Sequence, residues 1–452
     1  MENEKYVDPS SDPNRYTLDN LGCGYLFADT FSDRLRYVMD AKNWYFFDGC
    51  LWREDIGGIF ACQCAKLLVE HLKSHGQDDY ADLLTKRTQR ETMIKDAMDV
   101  NPLTLSDFDA DPHLLNCLNG TIDLRTGQFR EHNSADFLSK KADVAYDPNA
   151  KCERWEQFVD EIMCHDAELA VYLQKTLGYS LSGDTCEECL FIFYGPTTRN
   201  GKGTLMETAY NLLGDYSLTM QPNSLAQRKR AGSSHSADIA RLAGCRFVNV
   251  SELPSEYKLN AAIVKQLTGG DTVTTRYLYK NFFEYRPQFK IFINTNHLPE
   301  IEDDTLFSSG RLRLIPFDRH FKDNEQDRGL KKLFREDINK SAILNWFLDG
   351  YKLYMADKKL TPPPRAEELL RQYRKTSDTI GLYIENRLIP SNGKERMKTM
   401  DFYTNFQEWC KEEGVSELSL KEFVNAFRQK DLVYRDRVIG NYIKGYILKP
   451  NK

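Results

Sequence analysis

Residues 190–214, LFIFYGPTTRNGKGTLMETAYNLLG, decide the fold of this chain. The first five residues form an apolar run, which is typical of a strand buried on both faces, and the residues after Gly203 have helical character. A glycine-rich loop that carries Lys202 joins the two. Such a loop wraps phosphates with its backbone N–H groups, aided by the positive end of the helix dipole, while the lysine reaches the outer phosphates. The sequence therefore predicts a phosphate-binding loop.

Two departures from the usual loop pattern matter. Five residues separate Gly195 from Gly201, one more than the standard spacing, and Gly203 follows Lys202 where a serine or threonine normally contacts magnesium. Thr204, one position later, could take that role. The alternative is a glycine-rich turn with a solvent-exposed lysine. The residues predicted to hold the nucleotide are Gly195, Thr197, Thr198, Arg199, Asn200, Gly201, Lys202, Gly203 and Thr204.

Three more apolar runs follow the loop, at residues 246–250, 290–294 and 312–317. With the run at 190–194 they predict a mainly parallel sheet that is covered by helices. Ligands bind at the carboxyl ends of the strands in such sheets. Glu252 follows the first of the three runs, and a carboxylate at that place suits magnesium binding and orientation of an attacking water.

Polar residues lie at the end of the run at 290–294 and at the start of the run at 312–317. Asn294 or Asn296 could hydrogen-bond a γ-phosphate or its water, or could simply cap the next turn. Arg311 and Arg313 begin the last run. Arg311 could act as an arginine finger on a nucleotide held by a neighbouring subunit, a device that typically contributes about 10³–10⁵ in rate. Either arginine could equally be a surface ion-pair partner.

A hairpin is predicted before the run at 290–294. Its strands would cover residues 272–279 and 282–285, with Lys280 at the turn. Lys280 at the tip, with Arg276 and aromatic residues nearby, could project into a channel and grip a phosphate backbone. A plain surface hairpin with a solvated lysine is the alternative.

Composition bounds the class of protein. The 452 residues include 61 Lys+Arg and 67 Asp+Glu, a net charge of −6, and 41% are hydrophobic. These values exclude collagen-like and wholly disordered chains, no apolar run is long enough for a membrane span, and the polar amino terminus is not a secretory signal. Residues 361–452 hold 17 Lys+Arg and 13 Asp+Glu, or +4, which suits an accessory contact with DNA.

Three clusters are candidates for metal binding. They are Cys186/Cys189, Cys62/Cys64/His71/His75 and Asp107/Asp109/Asp111. The eleven scattered cysteines indicate a reduced chain, so core thiols and surface histidines are the favoured interpretation of the first two clusters. A turn rich in aspartate is the favoured interpretation of the third.

The order and spacing of loop, acid, asparagine and arginine resemble the superfamily-three helicases, a branch of the AAA+ ATPases. More closely, the chain resembles the phage, plasmid and poxvirus primase-helicase family. The resemblance is carried by LLNCLNGTIDLRTGQFREH at 114–132 and by KQLTGGDTVTTRYLYKNFFEYRPQFKIFINTNHLP at 265–299, and it covers roughly residues 25–320. Residues 380–448 resemble the winged-helix tail often found in this family.

The resemblance implies a role for each candidate residue. Lys202 would bind phosphate, Glu252 would be the Walker B acid, Asn296 the sensor and Arg311 the finger. Magnesium would be held by Glu252 and Thr204, while Lys280 and Arg276 would lie on a DNA-gripping hairpin. The family implies a hexameric ring that moves along single-stranded DNA, most often 3′ to 5′, driven by ATP and magnesium.

The expected fold is α/β, with four regions. These are an α+β domain at 1–145, a helical collar at 146–185, an AAA+ ATPase core with a mainly parallel sheet at 186–355, and a linker with a winged-helix-like tail at 356–452.

The expected function is that of a replicative DNA helicase of a phage or mobile element. We expect it to work in the host bacterial cytoplasm, without a membrane, on single-stranded and forked DNA. It would lack primase activity of its own and would act beside a separate primase or other replication proteins. The alternatives are an initiator that recognises and melts an origin, and a DNA-binding regulator whose ATPase serves assembly.

Overall fold

The computed structural model describes residues 6–227, 234–251, 253–254, 257–276, 282–301, 303–391, 396–414, 417–436 and 440–449. The helices of these residues are α1 (Asn20–Thr30), α2 (Ile59–Ser74), α3 (Asp78–Thr85), α4 (Arg87–Asp96), α5 (Glu153–Ile162), α6 (Ala167–Tyr179), α7 (Lys202–Leu213), α8 (Ser234–Ala240), α9 (Ala261–Thr268), α10 (Thr305–Ser308), α11 (Leu330–Leu333), α12 (Asp337–Asp357), α13 (Pro364–Ser377), α14 (Thr379–Arg387), α15 (Thr399–Glu413) and α16 (Leu420–Gln429).

The strands of the same residues are β1 (Leu35–Val38), β2 (Asn43–Phe47), β3 (Trp52–Glu54), β4 (Leu114–Asn116), β5 (Thr121–Asp123), β6 (Gln128–Arg130), β7 (Leu190–Tyr194), β8 (Ser217–Thr219), β9 (Phe247–Ser251), β10 (Val273–Thr275), β11 (Phe283–Tyr285), β12 (Lys290–Thr295), β13 (Leu312–Pro316), β14 (Leu388–Pro390), β15 (Arg396–Lys398), β16 (Val433–Asp436), β17 (Gly440–Lys444) and β18 (Tyr446–Leu448). A helix with the length and apolarity needed to cross a bilayer does not occur within the described ranges.

A parallel sheet forms the centre of the molecule. Within the described residues it has five strands in the order β13-β7-β12-β9-β8, and all four pairings are parallel. The four apolar runs of the sequence supply four of these strands, so the predicted mainly parallel sheet is confirmed. The strand at Ser217–Thr219 was not predicted, because three residues with two hydroxyls carry no apolar signal.

Helices cover both faces of this sheet. One face packs against α5, α6, α7 and α12 through a large apolar cluster that includes Trp155 and Phe347. The other packs against α8, α9 and α13 through a cluster that includes Leu242, Val264 and Tyr373. Strand β7 therefore lies between two hydrophobic layers, and its side chains pack alternately into one layer and the other.

The proline run at 362–364 begins a helix rather than an extended linker. Pro364 is the first residue of α13, where the missing N–H of a proline costs nothing. Tyr373 of this helix is 4% exposed and its hydroxyl donates to the carbonyl of Pro299, beside the central sheet. Residues 364–377 are therefore part of the sheet's hydrophobic layer. The domain boundaries proposed from the sequence stay predictions.

Small antiparallel sheets precede the central one. Strands β1, β2 and β3 pack with α1, α2 and α4 around Phe27, Trp44 and Leu68, and strands β4, β5 and β6 form a second sheet. This second sheet is tied to the central sheet by Arg246, which is fully buried and whose Nη2 donates to the carbonyl of Leu114 over 2.7 Å.

Residues after α13 form a last unit with its own core. Helices α14, α15 and α16 bury Phe402, Phe406, Trp409 and Phe423. A three-stranded sheet in the order β15-β17-β16 and a strand pair β14-β18 complete the unit among the described residues. The described part of the unit therefore contains three helices and short antiparallel strands. The winged-helix assignment of this tail stays a prediction.

Two glycines allow α6 and α12 to cross closely. A Cβ atom added at Gly178 would lie 2.2 Å from the backbone nitrogen of Tyr351, and one added at Gly350 would lie 2.1 Å from the carbonyl oxygen of Gln174. Both contacts are with backbone atoms, which cannot rotate away. The absence of side chains at these two positions therefore sets the distance between the helices.

We predict that Gly350→Ala destabilises the protein. Alanine would stabilise an isolated helix by about 1 kcal/mol, but here its methyl group must push α6 away, at a cost of about 1–3 kcal/mol from overpacking. Thermal unfolding should show a melting temperature several degrees lower. Leu353→Ala, at a 41% exposed position of the same helix, is the control and should change little. An unchanged or higher melting temperature for Gly350→Ala would contradict the close crossing.

Candidate phosphate-binding site

The glycine-rich loop lies at the carboxyl edge of the central sheet. Strand β7 ends at Tyr194, and α7 begins at Lys202 after Gly201, whose φ of 84° is left-handed. Strand β12, the neighbour of β7, ends at Thr295 and delivers Asn296 to the same edge. The loop therefore occupies the place where ligands bind in parallel sheets.

Lys202 is buried, contrary to the alternative of a solvent-exposed lysine. Its residue is 4% exposed, and its Nζ donates to the carbonyl of Gly195 over 3.1 Å and to Oδ1 of Asn296 over 2.7 Å. Because burial disfavours the charged form, the pKa of Lys202 is lowered to about 8. A buried ammonium group with two uncharged oxygen partners is suited to receive an anion.

The inner half of the loop is braced by Asn200. This residue is 4% exposed, its Nδ2 donates to the carbonyl of Thr197 over 2.7 Å, and its Oδ1 accepts from the backbone N–H of Lys202 over 3.4 Å. A Cβ at Gly195 would lie 2.4 Å from Asn200 Nδ2 and 2.9 Å from Lys202 Nζ. It would also lie 2.5 Å from the carbonyl oxygen of Phe317, a backbone atom that cannot rotate away, so this close approach requires glycine at 195.

The outer half of the loop contains Arg199 in the left-handed region, with a φ of 57°. For a residue with a side chain this conformation costs about 1–2 kcal/mol. An unexpected segment, the residues that follow β13, contacts this half of the loop.

Three contacts join that segment to the loop. Nδ1 of His320 donates to the carbonyl of Thr198 over 2.8 Å, and the backbone N–H of Phe321 donates to the carbonyl of Arg199 over 2.8 Å. The guanidinium group of Arg199 forms an ion pair with Asp323. Sequence reasoning missed these residues, because only the strand order places the end of β13 beside the end of β7.

The residues present fit a phosphate group. The N-cap residue of α7, Gly201, has no side chain to cap the helix, so apart from the N–H of Lys202, which donates to Asn200, the first backbone N–H groups can receive an anion. A Cβ built at Gly203 would meet no described atom within 4 Å, which leaves open space at the helix end. Thr204 follows in the first turn and is partly buried. Its predicted role as a magnesium ligand stays a prediction.

The two asparagines differ in position. Asn294 lies within β12 and pairs in the sheet with Ser251, while Asn296 lies beyond the strand and contacts Lys202. The structure therefore brings Asn296, and not Asn294, to the lysine. Glu252 follows the last residue of β9 in sequence and lies outside the described residues, so its role stays a prediction.

Arg311 lies at the opposite edge of the sheet from the loop. It precedes β13, and its side chain is 17% exposed, with Nη2 3.0 Å from Oε2 of Glu188 and Nη1 donating to Oγ1 of Thr268 over 2.8 Å. The five residues of β13 span about 16 Å. Arg311 is therefore remote from Lys202 of its own chain. Arg313 pairs with Glu187 at 3.7 Å.

The predicted hairpin is described in part: β10 and β11 pair antiparallel with Val273 opposite Tyr285, and residues 277–281, which include its turn, lie outside the described residues. Lys280 lies outside the described residues. The guanidinium group of Arg276 lies 4.8 Å from the ring centroid of Phe282, which is 64% exposed. Phe282 was not singled out from the sequence, although its place beside the predicted turn was a signal.

The candidate metal clusters are not assembled. Within the described residues no group of three or more His, Cys, Asp or Glu side chains could hold a metal ion. Cys64 and Cys189 are buried thiols, as favoured, whereas Cys62 and Cys186 are exposed and do not belong to the core. Asp107 caps a short turn at Thr104, and Asp109 is 5% exposed and accepts from Ser139. Asp111 pairs with Arg125 over 2.8 Å.

The fold is similar to that of a solved structure. Two apo structures of the NrS-1 C-terminal region match with a TM-score of 0.52, at 10% and 12% identity, and each covers 95% of this chain and 99% or more of the other. At this identity the match shows the fold alone.

Two family models match parts of the sequence. The model described as "D5 N terminal like" matches residues 24–164, and a family described as one of unknown function (DUF5906) matches residues 193–311. The first covers the small antiparallel sheets and α5, and the second runs from the end of β7 to Arg311.

Several viral proteins are similar in sequence. The putative helicase L207/L206 of Acanthamoeba polyphaga mimivirus is 30% identical over 349 residues, which is 73% of this chain and 36% of that protein. The putative helicase 022R of Frog virus 3 is 28% identical over 48% of this chain and 24% of that protein. The putative primase C962R of African swine fever virus is 22% identical over 67% of this chain and 34% of that protein.

The chain thus spans about a quarter to two fifths of the length of the curated relatives it matches. The family model over residues 24–164 and the viral relatives agree with each other and with the motifs of the sequence. Together these matches support the assignment of the chain to the phage- and poxvirus-type primase-helicase family.

Proposed function

We propose that this chain is an ATP-dependent DNA helicase with an AAA+ core. The observation that carries the proposal is the 2.7 Å contact between Lys202 Nζ and Asn296 Oδ1, which joins the phosphate loop to the end of the neighbouring strand. In a nucleotide-driven motor these two groups would bind the outer phosphate and sense its presence. Relatives named putative helicases support the assignment.

ATP and magnesium would use separate groups of the site. The backbone N–H groups of the loop and of α7, together with Lys202, would hold the phosphates, and Glu252 and Thr204 would hold the metal ion. Bound magnesium neutralises charge that develops on the transferred phosphoryl group. A phosphate oxygen would replace Asn296 Oδ1 as the hydrogen-bond acceptor of Lys202. The side-chain amide of Asn296 would then be available to the γ-phosphate or its water.

The proposed assembly is a closed ring of identical subunits, a hexamer by family resemblance. Arg311 is at the edge of the sheet opposite to the phosphate loop, so it can act as a finger only on the nucleotide of another subunit. Head-to-tail contacts that close into a ring provide that arrangement. Glu188 and Thr268 hold the guanidinium group of Arg311 in place in the single chain.

The proposed substrate is single-stranded or forked DNA, with movement most often 3′ to 5′. Lys280 and Arg276 on the hairpin would contact the phosphate backbone, and the net charge of +4 over residues 361–452 supports an accessory contact by the proposed winged-helix tail. The separate core of this tail also supports a second candidate function, recognition and melting of an origin.

The proposed activity does not include primer synthesis. Asp107 bonds to Thr104, Asp109 to Ser139 and Asp111 to Arg125, and these contacts support a structural role rather than a catalytic metal site. A separate primase would supply primers. The protein would work in the replication of a phage or mobile element, in the cytoplasm of its host.

We predict that nucleotide affinity falls as the pH rises above 8. The pKa of Lys202 is lowered to about 8 in the free site, whereas a bound phosphate favours the charged ammonium. At pH 9 most of the free protein therefore carries an uncharged Lys202, which must take up a proton before the nucleotide can bind tightly. The dissociation constant for ADP, measured by fluorescence titration, should be about tenfold higher at pH 9 than at pH 7.

Lys202→Arg is the control for the pH experiment, because a guanidinium group stays charged at both values. Its dissociation constant should change little between pH 7 and pH 9. Equal pH dependence in the wild type and in Lys202→Arg would show that another group titrates, and would contradict the account of the buried lysine.

We predict that Lys280→Ala abolishes unwinding of forked DNA but leaves basal ATP hydrolysis. The hairpin would transmit force to the DNA strand, whereas ATP hydrolysis would take place at the phosphate loop. Strand displacement and phosphate release should be measured on the same preparation. Lys352→Ala, whose side chain is 69% exposed on α12, is the matched control and should leave both activities unchanged.

Three outcomes of this experiment separate the candidate functions. Unwinding that survives Lys280→Ala would contradict the proposed hairpin contact. ATP hydrolysis by the wild type without any unwinding would favour the regulator whose ATPase serves assembly. Lack of nucleotide hydrolysis under all conditions would contradict the proposed function itself.

A further inference from the structure

We propose that residues 318–323, which follow β13 and are here called the clasp segment, position the outer half of the phosphate loop for nucleotide binding. The proposal rests on the proposed function and names positioning residues for that site. His320 and Asp323 are the side chains through which the clasp segment acts. They would not touch the nucleotide themselves.

The contacts of the clasp segment converge on two adjacent loop residues. His320 Nδ1 donates to the carbonyl of Thr198, and the N–H of Phe321 donates to the carbonyl of Arg199, both over 2.8 Å. Asp323 pairs with the guanidinium group of Arg199. Two carbonyls and one side chain of the same dipeptide are thus held by a segment that is more than 115 residues away in sequence.

This dipeptide is the part of the loop that most needs an external constraint. Arg199 has a left-handed φ of 57°, which a residue with a side chain rarely adopts. Asn200 braces the residues on either side, through Thr197 and Lys202. Holding the two carbonyls outward fixes the peptide planes, so the N–H groups of those planes point to the other side, where a phosphate is expected.

The clasp segment is itself anchored to the sheet. Phe317, the residue before it, is fully buried, its N–H donates to the carbonyl of Tyr194 over 2.7 Å, and its ring centroid lies 5.3 Å from that of Phe193. Within the segment the guanidinium group of Arg319 lies 4.9 Å from the ring centroid of Phe321. The clasp segment is therefore fixed to the neighbouring strands β7 and β13, and through its contacts it fixes the loop relative to these strands.

The alternative is that these contacts only join two surface segments. A purely structural contact would change thermal stability and leave nucleotide affinity unchanged. A positioning contact would change affinity with little effect on stability, because His320 is exposed and its loss removes no buried apolar surface. The two roles therefore differ in which measurement responds.

The test compares ADP binding and thermal unfolding for three variants of the full chain. His320→Ala should raise the dissociation constant for ADP about 2- to 10-fold, the range expected for one neutral hydrogen bond, with an unchanged melting temperature. His320→Asn, whose side-chain amide can donate from nearly the same place as Nδ1, should retain most of the affinity. His165→Ala removes another exposed histidine, paired with Asp160 at 2.5 Å, and should change nothing.

A fourth variant separates the ion pair from the hydrogen bond. Asp323→Asn leaves His320 in place and removes the charge partner of Arg199, so it should raise the dissociation constant less than His320→Ala does. Wild-type affinity in both His320→Ala and Asp323→Asn would overturn the proposal. A wild-type chain that binds no ADP would instead overturn the proposed function.

Discussion

The structure depends on one constraint, the burial of the Lys202 ammonium group beside the end of a parallel strand. Removing a lysine from water is unfavourable unless its hydrogen bonds are replaced, and here Gly195 and Asn296 replace two of them. The cost is visible in the lowered pKa of the group. A site that keeps a cation in this condition is suited to receive an anion.

The two ends of the strands in the central sheet have different roles. The carboxyl edge holds the phosphate loop and Asn296. Near the amino edge, the fully buried Arg246 and the 2% exposed Lys290 are bonded to backbone carbonyls of the preceding segments, and burial holds the pKa of Lys290 well below its usual range. Strand β13 runs from one end of the sheet to the other: Arg311 precedes the strand at the amino end, and the clasp segment follows it at the carboxyl end.

The sequence predicted the elements that carry a dense local signal. Apolar runs identified four strands of the central sheet, and the glycines around Lys202 identified the loop, since both patterns are contained in a few consecutive residues. The choice between Asn294 and Asn296 could not be made from the sequence, because it depends on where β12 ends. The clasp segment was missed because its partners are remote in the chain. The packing of α13 was missed because three prolines resemble a linker.

The most direct test of the account mixes two inactive variants. Lys202→Ala subunits should lack nucleotide binding, and Arg311→Ala subunits should lack the finger, so neither should hydrolyse ATP alone. In a ring, an intact loop of one subunit can meet an intact finger of the next. We expect ATP hydrolysis to reappear when the two variants are mixed, with a maximum at intermediate ratios. Activity that stays absent at every ratio would contradict a site shared between subunits.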